Sequence, residues 1–312
     1  MRLPAEWERQ KALLITYPHE NSDWAAYLDE VEEFYNEFIA IVSHYQDLII
    51  LTQKELAIKP AKHTIKTINV PTNDTWVRDY GPISVQDEKG RFHLLDFTFN
   101  GWGLKYSANY DNLVNRKVFQ TTKLGFVLEG GSIDSNGEGT LLTTSRCLLE
   151  PNRNPHLNKS QIESFLKQTF GLQKILWLDF GYLEGDDTDS HIDMLARFTA
   201  PDTIAYIACD ERDEHYEELK KMERQIRSFG YITVPLPWVG AKNYDNERLP
   251  ASYANFVIIN GAVIVPIYQD SSDDEALKIM KKLFPDRDII ALDASILLRQ
   301  HGSIHCSCMN LF

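Results

Sequence analysis

Five helical stretches, each separated from the next by two or more strand-like runs, most constrain what this chain can fold into. Helices are predicted to begin near residues 23, 109, 159, 212 and 273. Runs rich in β-branched residues lie between them, and no linker divides the units. Strands outnumber helices by too many for a doubly wound sheet, and no phosphate-binding glycine loop follows a strand. The sequence therefore predicts an α/β protein of five strand-rich units in a single domain, residues 1–312.

Turn and capping motifs place individual elements within these units. Residues 11–17 form an apolar run that is typical of a buried first strand. Asn-Gly pairs at 136–137 and 260–261 each divide two apolar runs, and this pair is favoured in tight hairpin turns. Segments 160–163 and 272–275 match the capping-box pattern. We therefore expect two hairpins and two helix starts at these positions.

Charge and cysteine content narrow the class of function. The formal charge of −13 argues against nucleic acid and anionic membrane as partners, and favours cationic small molecules. Four cysteines in 312 residues do not make a disulfide framework, which favours a reducing compartment. The first residues lack a signal-peptide core, and no stretch approaches a twenty-residue apolar span. These features predict a cytoplasmic protein.

Reactive side chains are closely spaced in the segment 301–312. Cys306 is a soft nucleophile that follows Gly302 and has polar neighbours. In an extended segment Cys308 would share a face with Cys306, so spacing leaves both as candidates. His305 is a poor base for Cys306, because adjacent side chains on a strand face opposite ways. Zinc held by the histidines and cysteines of this segment is an alternative, but no second cysteine cluster accompanies it.

A base for this cysteine is predicted at the start of another strand. Residues 192–198 alternate apolar side chains as a strand does, and His191 and Asp193 stand two apart at its beginning. Both side chains would then project from one face, roughly 6–7 Å apart. An imidazole beside a carboxylate suits a proton shuttle next to an anionic anchor. An acidic solvated loop with a chance histidine is the alternative.

Two further segments offer carboxylates. Asp79 lies at the end of a predicted strand that Gly-Pro breaks at 81–82, and Trp76 offers a face that can stack on a cation. A core tryptophan beside a surface ion pair is the alternative there. Glu129 precedes two glycines, where backbone can approach a ligand closely, although such a pair is also common in simple turns.

Six motifs follow one another in a recognisable order across nearly the whole chain. They are WVRDYGP at 76–82, EGGSI at 129–133, GEGT at 137–140, NRNP at 152–155, GDDTDSHID at 185–193 and SIHC at 303–306. This ordered set resembles the agmatine deiminase family, which is related to the Porphyromonas-type peptidylarginine deiminases in the guanidine-modifying, or pentein, superfamily. The resemblance implies a five-fold pseudosymmetric α/β propeller, which suits the five predicted units.

The resemblance also implies a reaction and roles. The reaction is hydrolysis of agmatine to N-carbamoylputrescine and ammonia, toward putrescine, through a covalent cysteine thiouronium. Cys306 matches the nucleophile, His191 the general acid/base, and Asp79 and Asp193 the carboxylates that grip the guanidinium. The residues that match substrate-binding positions are Trp76, Glu129 and Asp187. The implied partner is a small cationic guanidine, no metal or organic cofactor is implied, and a homodimer is left open.

Three departures from the family pattern lie beside the implied pocket. Ser190 stands in place of the usual glycine before the histidine, and His301 in place of the first of a glycine run. Residues 307–310 replace the usual Ile-Thr-Gln-Gln. These departures bear on the substrate, so peptidyl or free arginine is the runner-up, which Arg78 or Arg197 would favour by facing the pocket. A non-catalytic binding module and amidino transfer to a second amine are further alternatives.

Overall fold

The computed structural model describes residues 1–59 and 61–312. Within them, the strands in chain order are β1 (Ala12–Thr16), β2 (Asp47–Thr52), β3 (Ile65–Asn69), β4 (Ile83–Gln86), β5 (Phe92–Thr98), β6 (Thr121–Val127), β7 (Ile133–Ser135), β8 (Thr140–Thr144), β9 (Lys174–Leu178), β10 (Ala196–Ala200), β11 (Thr203–Ile207), β12 (Ile232–Leu236), β13 (Lys242–Tyr244), β14 (Glu247–Leu249), β15 (Val257–Ile259), β16 (Ala262–Ile267), β17 (Asp288–Asp293) and β18 (Cys308–Leu311). The α-helices are α1 (Leu28–Tyr45), α2 (Val77–Tyr80), α3 (Gly101–Leu104), α4 (Val114–Val118), α5 (Ser145–Leu148), α6 (Lys159–Phe170), α7 (Tyr216–Ser228), α8 (Asp273–Leu283) and α9 (Ser295–Leu298). Short 3₁₀ turns cover Asp23–Tyr27, Asp111–Leu113, Gly130–Ser132 and Ile192–Met194.

One strand pattern is repeated in five sheets. In each sheet the first strand pairs antiparallel with the second, and the second pairs parallel with the next strand across a helical connection. The five sheets have the orders β18-β1-β2-β3, β4-β5-β6, β7-β8-β9, β10-β11-β12 and β15-β16-β17. The predicted α/β class and the five strand-rich units are confirmed. A separate hairpin, β13-β14, precedes the last of these sheets.

Amphipathic helices cover the sheets with one apolar face. On α1 the buried side chains include Val31, Tyr35, Phe38 and Val42, which recur every three or four residues on one stripe. Such spacing keeps one face of the helix on the sheet while its charged face stays in solvent. Burying one such side chain fully stabilises the folded state by about 1.5–3 kcal/mol relative to leaving it in solvent.

Both predicted hairpins are present. The Asn-Gly pair at 260–261 joins β15 to β16, and the pair at 136–137 lies between β7 and β8. Gly261 has a φ of 80° and Gly137 a φ of 74°, a left-handed conformation that glycine adopts without steric cost.

The capping predictions were wrong in detail. Helix α6 is capped two residues earlier than expected, by a reciprocal pair of hydrogen bonds between Asn158 and Gln161. At the start of α8, Ser272 makes no capping hydrogen bond. Asp273 instead accepts from the backbone nitrogens of Tyr268 and Asp270, so its carboxylate ties down the preceding loop. The pattern located both helices but misassigned the residues that cap them.

Two strand predictions near the chemistry were also wrong. Ile192–Met194 is a 3₁₀ turn, and β10 begins only at Ala196. Alternating apolar residues indicate a strand only when the residues between them face solvent. All three residues of this turn are buried, so the alternation was misleading here. The predicted strand end at 76–82 contains the helical turn α2, whose Val77 carbonyl accepts from the Gly81 nitrogen at 2.7 Å. Both segments are short turns that hold polar side chains inside the protein.

Candidate active site

The site is built from the same position of each repeated unit. Asp79, Glu129, Asp193, Asn255 and Cys306 each lie two to four residues before the first strand of a different sheet. All five side chains are buried. Because the five units share one topology, equivalent segments lead into equivalent strands, and the repeat therefore gathers five polar residues in one place.

Cys306 lies among polar groups in this cluster. Its Sγ is 3.8 Å from Asp193 Oδ2, and the Asn255 side-chain nitrogen donates to it at 3.2 Å. Burial raises the pKa of the Cys306 thiol well above its ordinary value, and the carboxylates of Asp193 and Asp79 raise that pKa further. The cysteine is therefore a neutral thiol until a cation enters the site.

Cys308 lies elsewhere, although spacing alone left it as a candidate. It belongs to β18, and its thiol donates to the backbone oxygens of Ile304 at 3.5 Å and His305 at 3.7 Å. The turn that precedes β18 breaks the extended geometry that would have placed both cysteines on one face. Only Cys306 of the two lines the cavity described below.

His191, Asp79 and Asp193 surround Gly131. A Cβ added at Gly131 would lie 2.7 Å from His191 Nδ1, 2.9 Å from Asp79 Oδ1 and 3.0 Å from Asp193 Oδ2. The His191 Nδ1 atom is 3.5 Å from Asp79 Oδ1. The three groups converge on a space that only glycine leaves open. His191 and Asp193 thus meet, as predicted, but through a turn and not a strand.

The protonation of His191 follows from these neighbours. Burial lowers the pKa of His191, but Asp79, Cys147 and Glu129 outweigh it and raise that pKa well above the ordinary value. Neither ring nitrogen has a hydrogen-bond partner within the described residues. A buried imidazolium that is ion-paired with Asp79, but whose N–H groups make no hydrogen bond within the described residues, is suited to give a proton to a bound group.

The two aspartates are held differently. Asp79 accepts from Trp102 Nε1 at 2.8 Å and from the Gly131 backbone nitrogen at 3.0 Å. Burial raises the pKa of Asp79 to about 6, although His191 opposes the shift. Burial acts the same way on Asp193, but the hydrogen bond and charge of His305 prevail and lower its pKa. Asp193 is thus ionised at neutral pH, and Asp79 gains charge as the pH rises past 6.

A cavity of about 520 Å³ opens onto these groups. Five of the seven predicted site residues line it, and the other two, Glu129 and Asp193, do not. Its lining carries five aspartates and, among the residues that the structure describes, neither lysine nor arginine. The complete lining is Asp23, Asp74, Trp76, Asp79, Trp102, Tyr106, Asp186, Asp187, Thr188, His191, Met194, Gln300, His301, Gly302 and Cys306.

Glu129, predicted from the sequence to bind substrate, is engaged with a partner of its own. Both of its carboxylate oxygens accept from Arg153 Nε, at 3.0 and 2.9 Å, and both side chains have zero exposure. Arg153 Nη1 also donates to Asp189 at 2.8 Å. Both oxygens of Glu129 are thus occupied, which leaves neither for a ligand. Its negative charge helps to raise the pKa of His191.

The loop 100–106 closes one side of the cavity and was missed by the sequence reasoning. Trp102 reaches Asp79, and Tyr106 donates to Asp187 Oδ2 at 2.7 Å. Trp102 and Leu104 have φ values of 53° and 69°, which non-glycine residues rarely adopt. Two glycines flanking a tryptophan at 101–103 were the signal in the sequence, since glycines beside a large ring suggest an unusual backbone.

Groups of side chains that could bind a metal ion occur outside the segment 301–312, where zinc was the alternative considered from the sequence. Within the described chain, the histidines and cysteines of segment 301–312 do not form a set of three close ligand atoms. One set that does is Glu129, Cys147 and His191. A cation there would compete with the guanidinium of Arg153, which already occupies both oxygens of Glu129. The second set, Asp213, Glu214 and His215, contributes no residue to the cavity lining.

Comparisons with known proteins show which family the chain belongs to. The sequence profile of the Porphyromonas-type peptidyl-arginine deiminases matches residues 2–311. The chain belongs to this family. An agmatine deiminase from Medicago truncatula is 32% identical to it, over 97% of this chain and 94% of the relative. The structure of C. jejuni agmatine deiminase with substrate bound has a TM-score of 0.97 at 46% identity, and covers 100% of this chain and 96% of that one.

The fold extends to a more distant enzyme. A dimethylarginine dimethylaminohydrolase has a TM-score of 0.55 at 13% identity, over 97% of this chain and all of that one. At such identity the likeness concerns the fold alone. Separately, no helix in the part of the chain that the structure describes is both long and apolar enough to cross a membrane.

Two of the departures from the family pattern, Ser190 and His301, stand at positions where the backbone geometry favours glycine. Ser190 has a φ of 66° and His301 a φ of 61°. A non-glycine residue in this region costs roughly 1–2 kcal/mol. His301 offsets part of that cost because its Nδ1 donates to the Gly185 carbonyl at 2.8 Å. His301 thereby places an imidazole in the cavity lining.

Proposed function

We propose that the protein hydrolyses agmatine to N-carbamoylputrescine and ammonia, a step toward putrescine. The cavity lining carries this proposal, because it combines Cys306 and His191 with five aspartates and has no lysine or arginine among its described residues. Agmatine has a guanidinium at one end and an ammonium at the other, and such a lining complements two positive charges. The names of the relatives and the bound substrate in the C. jejuni structure support the same choice.

Substrate binding is proposed to use the two inner carboxylates for the guanidinium. Asp79 and the free Oδ1 of Asp193 accept from its nitrogens, a planar charge-assisted arrangement that fixes the carbon in front of Cys306 Sγ. The face of Trp76 packs along the ligand. Asp187, near the loop 100–106, is proposed to lie toward the distal ammonium.

The reaction is proposed to proceed in two halves. The entering cation lowers the pKa of the Cys306 thiol, which releases its proton to solvent. The thiolate then forms a C–S bond with the guanidinium carbon while the C=N π pair moves onto nitrogen. His191 then protonates one terminal nitrogen, the C–N bond breaks, and ammonia leaves a thiouronium on Cys306. Neutral His191 next takes a proton from water while the hydroxyl oxygen bonds to carbon. The C–S bond then breaks with the sulfur leaving as a thiolate, while the hydroxyl on that carbon loses its proton and becomes the urea carbonyl. That proton restores the Cys306 thiol, and the substituted urea departs.

Arginine as the substrate is less well supported. Its α-carboxylate would need a cation, and neither arginine considered from the sequence supplies one. Arg78 donates to the His305 carbonyl and to Asn310 Oδ1, and Arg197 pairs with Glu6 and Asp134. Neither lines the cavity. A non-catalytic module is also disfavoured, since it has no need of a thiol, an imidazole and a carboxylate on one wall.

We expect agmatine to be preferred over free arginine by at least about a hundredfold in kcat/KM. An unpaired carboxylate among five aspartates is repelled, and a hundredfold corresponds to roughly 2.7 kcal/mol. The experiment compares steady-state kinetics and product identity for agmatine, arginine and a blocked arginine peptide with the purified protein. Equal kcat/KM for agmatine and arginine, or citrulline formed in the peptide, would contradict the agmatine assignment.

The affinity for agmatine is expected to rise with pH. Burial raises the pKa of Asp74 to about 7 and that of Asp79 to about 6, so both carboxyls are partly protonated below neutrality. Their ionised forms attract a cation, so KM should fall as the pH rises from about 5.5 to 8. We expect Asp74→Asn to raise KM and to remove the part of this dependence near pH 7. A KM that is constant over this range would show that these carboxyls do not titrate with binding.

A homodimer is proposed as the candidate assembly. The described residues of one chain already supply the whole cavity lining, so assembly need not complete the site. Sedimentation equilibrium on the purified protein tests the dimer directly, and a monomer at micromolar concentration would rule it out.

A further inference from the structure

The carboxylate of Asp193 is hydrogen-bonded to His305, a histidine that has no role in the reaction proposed above. His305 Nδ1 lies 2.7 Å from Asp193 Oδ2, the same oxygen that is 3.8 Å from Cys306 Sγ. Asp193 Oδ1 has no hydrogen-bond partner within residues 1–59 and 61–312. One oxygen of the carboxylate is thus fixed, and the other is available to a guanidinium nitrogen.

Glu6 holds the other ring nitrogen of this histidine. His305 Nε2 lies 2.8 Å from Glu6 Oε2, which also accepts from Arg197 at 2.7 Å. The second Glu6 oxygen accepts from the Ile258 backbone nitrogen at 2.6 Å. Carboxylates only accept, so an imidazole between two of them donates through both nitrogens. Asp193, His305, Glu6 and Arg197 therefore form a buried line of alternating charge.

The backbone of His305 is fixed as well. Its nitrogen donates to Asn255 Oδ1 at 2.8 Å, and its carbonyl accepts from Arg78 Nε at 3.2 Å. Asn255 also contacts the thiol of the next residue, Cys306. Neither the ring nor its peptide has room to shift without moving the nucleophile.

We propose that His305 and Glu6 form a positioning pair that sets the orientation and negative charge of Asp193 for guanidinium binding. The inference rests on the proposed function, because Asp193 meets a guanidinium only in that reaction. His305 does not line the active-site cavity. With Glu6 it borders a second cavity of about 510 Å³, which shares no lining residue with the first.

Two amide substitutions separate the halves of the pair. The asparagine side-chain nitrogen falls near the position of imidazole Nδ1, and that of glutamine falls near Nε2. His305→Asn therefore keeps a donor for Asp193, whereas His305→Gln keeps one for Glu6. We expect His305→Gln to lower kcat/KM with agmatine about a hundredfold, and His305→Asn to stay within about tenfold of the wild type. Equal losses in both variants would mean a general structural role and would overturn the pair.

The pH profile provides a readout that a structural role does not move. The charged and titratable groups that face Asp193 are His305, His191, Arg197, Asp79 and Cys306. Burial raises the pKa of Asp193 and His305 opposes it, so removing this hydrogen bond raises that pKa. Without its largest opposing interaction, burial brings the pKa of Asp193 into the range of Asp79, whose pKa is about 6. The acid limb of kcat/KM should then move to higher pH in His305→Gln, because a second carboxylate titrates on it. An unmoved limb would contradict the proposal.

His215 provides a matched control. It is equally buried, its Nδ1 lies 2.8 Å from Asp213 Oδ1, and its Nε2 accepts from the Glu184 backbone nitrogen at 2.8 Å. It lines neither of the two cavities. We expect His215→Asn to lower Tm without moving the acid limb. If the acid limb shifts equally in His215→Asn, then the shift in His305→Gln results from lost stability and not from the positioning pair.

Alkylation of Cys306 tests the pair without turnover. His305→Gln breaks the hydrogen bond to Asp193 Oδ2, which lies 3.8 Å from Cys306 Sγ, and alters the residue next to the nucleophile. Iodoacetamide should therefore modify Cys306 at a rate that differs at least several-fold from that of the wild type at a given pH. Peptide mass spectrometry resolves Cys306 from the other three cysteines. If no guanidine compound is turned over, the proposed function fails, and alkylation still decides the pair. Equal rates in wild type and His305→Gln would refute it.

Discussion

Cys306→Ser is expected to lower kcat for agmatine by at least about 10⁴-fold, while Kd for agmatine changes only a few-fold. A serine hydroxyl ionises far less readily than a thiol, so it provides almost no anionic nucleophile for a delocalised guanidinium carbon. The binding groups Asp79 and Asp193 are untouched, which is why affinity should persist. Stopped-assay ammonia measurements give kcat, and calorimetry with the inactive variant gives Kd.

Cys308→Ser is the matched control. Its thiol donates only to backbone carbonyls, 3.5 Å from Ile304 and 3.7 Å from His305, so the change should leave kcat within a few-fold of the wild type. Acid quenching during turnover should trap an amidino adduct on the peptide that contains Cys306. An adduct located on Cys308 by tandem mass spectrometry would disprove the assignment of the nucleophile.

Gly131→Ala is expected to lower kcat/KM by at least about a hundredfold. The added methyl would lie 2.7 Å from His191 Nδ1 and 2.9 Å from Asp79 Oδ1, closer than unbonded atoms approach. These groups would have to move apart, and displacements near 1 Å cost about a hundredfold when they disturb reacting groups. Gly131 does not have a left-handed φ, so the effect reports the lost space and not backbone strain.

Two other glycines calibrate this result. A Cβ at Gly125, on β6, meets no atom within 4 Å, so Gly125→Ala should leave kinetics and Tm unchanged. A Cβ at Gly130 would lie 2.2 Å from the Arg78 carbonyl, so Gly130→Ala should chiefly lower Tm. Wild-type kcat/KM in Gly131→Ala would mean that the three polar groups are free to rearrange, against the geometry described.

The architecture could be predicted from the sequence because the same helix-and-strand pattern occurs five times. Five helical stretches with strands between them indicate the repeat even when a boundary is misplaced, and Asn-Gly at 260–261 identifies its hairpin by local turn chemistry alone. The family resemblance supplied the positions of Cys306 and His191, and both line one cavity. Neither result depended on the exact form of the segments between elements.

The errors fall on short buried turns. Ile192–Met194 was predicted as a strand, since its alternating pattern would also suit a half-exposed strand. Arg153, His305 and Glu6 were not assigned roles because each acts through a partner distant in sequence, Glu6 lying 299 residues before His305. Nothing local marks such a pair, since the charges compensate one another only after the sheets come together.

The pairing of β18 with β1 dictates when during biosynthesis the enzyme becomes active. Ala12 aligns with Leu311, and the Lys11 nitrogen donates to the Leu311 carbonyl at 2.7 Å. A nascent chain on the ribosome that has not yet released residue 311 leaves an edge of β1 unpaired and has no seated nucleophile. The other four sheets can form earlier, since each uses strands that are close in sequence. Translation therefore supplies the other four sheets before the segment that carries the reactive cysteine, so chains that terminate before β18 should be inactive and exposed to proteolysis at β1.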